Sequence, residues 1–212
     1  MNSNSILSMK GIKNIIFDLG GVILNIDYQA TYKAFTDLGV ADFTSLYSQF
    51  KGNKLFDDLE TGRISNEEFL AEMLKHAPEG TTEQQIIDAW NAMLLDFPLR
   101  RLQLLQQLRQ HYNLYLLSNT NAIHLAAFNK ILEESRGIPS MGAFFDKTYY
   151  SHLIGYRKPE RESYQLVLDE NGLKPEETLF IDDTLPNIEG ATAVGVQTIH
   201  LLAPRTITDI FR

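Results

Sequence analysis

The sequence contains no cysteine, which excludes disulfides, thiol nucleophiles and thiolate zinc centres. It also lacks an excess of basic charge: 27 Asp and Glu against 19 Lys and Arg give a net charge of −8. Binding along a phosphate backbone needs concentrated positive surface, so nucleic acid is not expected as a partner. No apolar run approaches the roughly 20 residues needed to cross a bilayer, so no membrane partner is expected either. The opening MNSNSILSMK has no basic start followed by a long apolar stretch. It reads as a tail and not as a signal peptide, which points to a cytoplasmic protein. There is no internal repeat. What is present is 44% hydrophobic content over 212 residues, enough for an ordinary globular core. Composition leaves the oligomeric state open.

Short apolar runs that suit buried strands lie at Ile12–Phe17, Leu114–Leu117, Lys147–Tyr150, Thr178–Ile181 and Val196–His200. Helical patterns separate them, and that alternation predicts an α/β fold with a doubly wound, Rossmann-like parallel sheet. Between the first run and the second, residues 27–96 read as helical throughout. Ser65-Asn66-Glu67-Glu68 forms a capping box ahead of Phe69, Leu70, Met73, Leu74 and Ala77 at amphipathic spacing, and Thr82–Gln85 repeats the signal before Ile86, Ala89, Trp90 and Met93. Pro98 suits the first turn of a helix with Leu102, Leu105 and Leu108 on one face. The expected organisation is a core of residues 11–26 and 97–212, with an all-helical cap of residues 27–96 inserted after the first strand.

In open α/β sheets, ligands gather beyond the carboxyl ends of the strands. The first run is followed by Asp18 in FDLGGV, the second by Ser118-Asn119 in LLSNT, and the fourth by Asp182-Asp183 in LFIDDTLPNIEGA. Lys158 stands in GYRKPE ahead of a helical pattern. A parallel sheet would bring these groups to one edge. Clustered carboxylates repel and are prohibitive to bury without a counter-charge. All-oxygen ligation without Cys or clustered His favours magnesium over zinc, with room left for a phosphate oxygen. The glycines after Asp18 would let the backbone pass close to the ion. Taken alone, Gly62-Arg63 is a helix-connecting turn, and His124 and His152 have no ligand spacing and read as structural or exposed.

Asp18, Ser118, Lys158 and the Asp182-Asp183 pair resemble, in order and separation, the four motifs of the haloacid dehalogenase-like hydrolase superfamily. The helical insert is similar to the small cap of one of its subgroups, and DLG, SNT, RKP and the DD followed by NIEGA are similar to its α-D-glucose-1-phosphate phosphatase-like members. The resemblance implies a magnesium-dependent phosphatase of small phosphorylated metabolites, such as the sugar phosphate glucose 1-phosphate. Asp18 would attack phosphorus and form a phospho-aspartyl intermediate. Asp18, the Gly20 carbonyl and Asp183 would hold Mg2+, with Asp182 a ligand directly or through water. Ser118 and the Asn119 backbone would bind phosphoryl oxygens, Lys158 would neutralise phosphate and nucleophile, and Asn187 would orient Lys158 or a metal-bound water.

Most phosphatases of the superfamily carry Asp two positions after the nucleophile, where this chain has Gly20. General acid-base help contributes about 10²- to 10⁴-fold, so its loss favours a substrate with a good leaving group, such as an anomeric phosphate. Asp27 or a cap residue could supply the proton instead. The alternatives are a 2-haloacid dehalogenase-like hydrolase, against which the retained Asp182-Asp183 pair argues, and a weakly active phosphate-binding or regulatory protein.

Overall fold

The computed structural model describes residues 9–40, 42–52 and 54–211, so most of the expected N-terminal tail lies outside the described residues. Five strands, β1 (Asn14–Phe17), β2 (Asn113–Ser118), β3 (Lys147–Tyr150), β4 (Thr178–Asp182) and β5 (Gln197–His200), form one sheet in the order β3-β2-β1-β4-β5. Every pairing is parallel, and Phe17 lies in register with Leu116 on one side and Ile181 on the other. Each of the five expected segments therefore holds a strand, with ends shifted by at most two residues, and the fold is α/β.

Strand periodicity sorts the side chains to two faces. Ile15, Phe17, Leu114, Leu116, Leu179 and Ile181 enter one cluster. It also takes Leu102, Leu105 and Leu108 from α6 (Leu99–Leu108), Phe128 and Leu132 from α7 (Ala122–Arg136), and Ile207 from α11 (Ile207–Ile210). Ile16, Tyr115, Leu117, Tyr149 and Phe180 point the other way. They pack on Tyr164, Val167 and Leu168 from α9 (Arg161–Asn171) and on Ile188 and Ala191 from α10 (Leu185–Ala193). With apolar groups on both faces, the sheet is covered on both sides, as the near-continuous apolar strands require.

Between β1 and α6 run α1 (Tyr28–Asp37), α2 (Phe43–Gly52), α3 (Leu55–Glu60), α4 (Asn66–Leu74) and α5 (Glu83–Asn91). They have an apolar cluster of their own, built on Phe35, Phe43, Phe56, Phe69, Met73, Ile86 and Trp90, which Ile123 of α7 joins. Both capping boxes form: Ser65 caps α4 with Glu68 reaching back, and Thr82 caps α5 with Gln85 reaching back. Each is worth about 1 kcal/mol. A helix boundary also differs from expectation. Pro98 is the N-cap of α6 with extended backbone, and the helix starts at Leu99; fixed φ and the missing N–H suit that position as well as the first turn. Among the described residues no helix is long and apolar enough to cross a membrane.

Candidate active site

The sheet order puts β1 in the centre, with β2 and β4 beside it. Asp18 leaves the carboxyl end of β1, its N–H donating to the Ile181 carbonyl at 2.9 Å. The chain then turns sharply, and the Leu19 carbonyl accepts from both Ile23 N–H (2.8 Å) and Leu24 N–H (2.9 Å). Gly21 has φ +74°, and a Cβ there would lie 2.2 Å from Asp183 Oδ2. Only glycine lets the backbone press against that carboxylate.

The expected carboxylates do converge. Asp18, Asp182 and Asp183 each offer an oxygen within 4.8 Å of the others. Lys158, 2% exposed, donates from Nζ to Asp18 Oδ1 and to Asp182 Oδ2, both at 2.7 Å. One ammonium thus faces three carboxylates. Burial, reinforced by Asp182 and Asp183, raises the Asp18 carboxyl above the usual range even with Lys158 opposing. Burial would lower the lysine, but Asp18 and Asp182 hold it above its ordinary value. Burial and Asp182 raise Asp183 too. A group of acids this reluctant to ionise together is what a divalent cation would relieve.

The two adjacent acids are not equivalent. Asp182 is fully buried, and its oxygens are engaged on every side. Oδ1 accepts from Thr184 N–H at 2.8 Å and Asn187 Nδ2 at 3.2 Å, and Oδ2 from Lys158 and from Asn187 Nδ2 at 3.0 Å. Asn187 therefore reaches Lys158 only through Asp182. Asp183 is exposed to the cleft and accepts from the Thr184 hydroxyl on Oδ1 at 3.1 Å, leaving Oδ2 beside Gly21.

Ser118 ends β2, is 4% exposed and lines the same cleft. Asn119 does something the sequence did not suggest. Its amide Nδ2 donates to the Lys158 carbonyl and its Oδ1 accepts from Lys158 N–H, both at 2.8 Å, so the side chain clasps the backbone that carries the lysine. Neither Ser118 nor Asn119 caps the next helix: Asn121 does, accepting from His124 N–H at 2.9 Å. Asp27 is likewise committed as the N-cap of α1, accepting from Gln29 N–H.

These groups open into a cavity of about 500 Å³ between the sheet edge and helices α1, α2, α3 and α5, whose wall includes Ile26, Tyr28, Tyr47, Phe56, Glu60 and Trp90. Sequence reasoning missed this wall. His124, expected to be structural or exposed, is 8% exposed and lines the cavity. Its ring lies 5.0 Å from Trp90 at 14°, and Trp90 lies 5.2 Å from Phe56 at 8°, so the indole is stacked against both rings. Burial lowers His124 to about 3, so it is neutral at ordinary pH, with Nδ1 donating to Asn91 Oδ1 at 2.8 Å.

Arg157, next to Lys158, binds α3: Nη1 to Asp57 Oδ1 at 2.8 Å, and Nη2 and Nε to Glu60 Oε2 at 2.7 and 3.0 Å. Nearby, a Cβ on Gly62 would meet the His152 carbonyl at 2.5 Å, so the expected turn at Gly62-Arg63 is also a close contact with α8 (Ser151–Ile154). The only advance sign of the Arg157 link was its place in GYRKPE. Tyr28, at the start of α1, is 61% exposed yet turned to the cleft. Desolvation, then the charges of Asp18 and Asp183, push its phenol up to about 12.

A model of haloacid dehalogenase-like hydrolases matches residues 12–195 of the chain. D-ribitol-5-phosphate phosphatase of Bacteroides thetaiotaomicron is 34% identical over 189 residues, 89% of this chain and 91% of that protein. A HAD family enzyme from the same organism, solved as wild type in complex with magnesium and inorganic phosphate, superposes with a TM-score of 0.86 at 34% identity, covering 95% of this chain and all of that one. A HAD-like family hydrolase from Porphyromonas gingivalis gives 0.82 at 35% identity, with 95% and 98% covered.

Proposed function

Because the chain belongs to the haloacid dehalogenase-like hydrolase family, we propose that it is a magnesium-dependent phosphatase of small polyol or sugar phosphates, with Asp18 as nucleophile. The observation that carries this reading is the charge pattern at the sheet edge: three converging carboxylates and one buried ammonium at 2.7 Å from two of them. The donor set fits magnesium, being all oxygen, and the Cβ-free approach of Gly21 to Asp183 leaves the carboxylate room to face an ion. Asp18, the Gly20 carbonyl and Asp183 would hold it, while the saturated oxygens of Asp182 suit that residue to support Lys158 and to act through water. Bound there, the cation supplies charge neutralisation for nucleophile and phosphoryl oxygens together.

Asp18 attacks phosphorus and the ester bond breaks, leaving a phospho-aspartyl enzyme that water hydrolyses. Lys158 holds the nucleophile's orientation and opposes the charge of the phosphoryl group. The Ser118 hydroxyl and the Asn119 N–H donate to phosphoryl oxygens, and the Asn119 side chain keeps the lysine segment in place. Residues 27–96 act as a cap whose aromatic wall receives the leaving group. The relative named for ribitol 5-phosphate widens the expected substrate from glucose 1-phosphate to open-chain polyol and sugar phosphates generally. A dehalogenase acts at carbon and has no use for three converging carboxylates, so that alternative is the weaker reading.

Phosphate release is measured on a panel of polyol and sugar phosphates, with magnesium and with chelator, for wild type and Asp18→Asn. Turnover that needs magnesium and disappears with Asp18→Asn supports the assignment. Turnover surviving the substitution sinks it, and tight phosphate binding without turnover in the wild type favours a binding protein.

A further inference from the structure

An alkoxide leaves phosphorus poorly without a proton, and every acidic group at the floor of the cleft is already committed. Asp18 is the nucleophile, Asp182 accepts from Lys158, Thr184 and Asn187, and the Thr184 hydroxyl is given to Asp183. Position 20 is glycine. Asp27 caps α1. On the wall, Glu60 is tied by two hydrogen bonds to Arg157, and the neutral His124 spends its Nδ1–H on Asn91.

Tyr28 differs from all of these. It sits one residue after the Asp27 cap, at the first position of α1, where the helix start fixes its backbone. It lines the cleft together with Asp18 and Gly20. The same cavity is lined by Asp183 and by Tyr47 and Glu60 of the helical segment, so the phenol shares one space with the carboxylates at the sheet edge and with the helices that face them. No hydrogen bond to the phenol is seen among the described residues, and the side chain is open to solvent in the cleft.

Resting on the phosphatase reading above, we propose that Tyr28 is the proton donor to the leaving oxygen, a catalytic residue that takes the place of an acid at Gly20. As Asp18 bonds to phosphorus, the phosphorus–oxygen bond of the ester breaks and its electron pair stays on the leaving oxygen. The Tyr28 O–H proton passes to that oxygen, and the alcohol departs. The phenolate then takes a proton from the water that attacks the phospho-aspartyl phosphorus. The bond between phosphorus and the Asp18 oxygen breaks with its electron pair staying on the carboxylate, which restores Asp18 and Tyr28 and releases inorganic phosphate. A phenol is a stronger acid than an alkyl alcohol, so the transfer runs downhill.

The test compares wild type and Tyr28→Phe, with magnesium, on D-ribitol 5-phosphate, an alkyl ester with a poor leaving group, and on p-nitrophenyl phosphate, whose leaving group needs no proton. The expected result is a loss of kcat on the alkyl ester about 100-fold larger than the loss on the nitrophenyl ester. Adding Gly20→Asp to Tyr28→Phe should return most of the alkyl activity. At position 20 a Cβ meets only the flexible end of Ile26, at 2.5 Å. Equal losses on the two esters, no loss on either, or a wild type that cleaves only the nitrophenyl ester would each overturn the role of Tyr28 while leaving the phosphatase reading intact. A wild type that cleaves neither ester, or retention of activity by Asp18→Asn, overturns the phosphatase reading and Tyr28 with it. Unequal losses with no recovery in the double variant also count against the proposal, since a lost proton is what Gly20→Asp replaces.

Discussion

Lys158 Nζ lies 2.7 Å from Asp18 Oδ1, and the lysine side chain is 1% exposed. The pair joins residues 140 positions apart. Removing one partner of a buried pair costs about 3–5 kcal/mol because the other charge stays behind uncompensated. Lys158→Met leaves three carboxylates without a cation. It should lower unfolding free energy by about that amount in chelator, cost at least about 10³-fold in phosphate release, and gain more stability from added magnesium than wild type does. Urea denaturation with and without the metal checks this.

Gly21→Ala should damage the metal site more than the fold. The left-handed backbone penalises any side chain there by about 1 kcal/mol, and the new methyl would fall 2.2 Å from Asp183 Oδ2, displacing that carboxylate. Magnesium raises the thermal midpoint of any protein whose native state alone binds it. That rise should be present in wild type, retained in Gly20→Ala and largely gone in Gly21→Ala, as read by thermal melts at fixed metal concentration.

His124 sets a pH dependence whose sign follows from its surroundings. Burial holds it at about 3 in the folded protein against 6.5 ordinarily. The unfolded chain therefore takes up a proton below pH 6.5 that the folded one refuses, and stability is lost as pH falls through that window, by at most about 1.4 kcal/mol per pH unit from this group. His124→Phe keeps a ring against Trp90 and removes the titration. The stability difference between wild type and His124→Phe should shrink or reverse from pH 7 to pH 5 in urea titrations. A difference constant with pH would contradict the buried neutral ring.

The fork of Arg157 onto Asp57 and Glu60 needs a planar guanidinium. Arg157→Lys supplies one point charge for two carboxylates, and about 1–2 kcal/mol of stability should be lost, less than for a fully buried pair because solvent reaches the site. Since α3 is held to the segment preceding Lys158 by these bonds, KM for sugar phosphates should rise more than kcat falls, as steady-state kinetics would show.

Much of this was legible in the chain because it depends on local pattern. Each strand announced itself as a short apolar run, and the capping boxes at Ser65 and Thr82 mark helix starts through hydrogen bonds made within four residues. The convergence of residues 18, 118, 182 and 183 followed from strand ends, and that of Lys158 from its place in GYRKPE ahead of a helical pattern. The wall of the cleft was not legible. Phe56, Trp90 and His124 come from α3, α5 and α7, and nothing in their spacing says that three rings will stack. Arg157 looks like any surface cation until α3 is placed against it. Asp182 and Asp183 are adjacent and chemically identical in the sequence, and only the positions of Asn187, Thr184 and Lys158 tell them apart.

The placement of Asp18, the proposed nucleophile, at the end of the middle strand has a mechanical result. The Asp18 amide is bonded to Ile181, and β1 is hemmed in by a neighbour on either edge. Exchange of that amide with deuterium should therefore await disruption of the whole sheet, while amides of α1–α5, with a separate apolar cluster, can swap through smaller openings. Openings of the helical segment need not disturb the Asp18 carboxylate proposed to attack phosphorus, which stays anchored to the slowest-yielding part of the molecule.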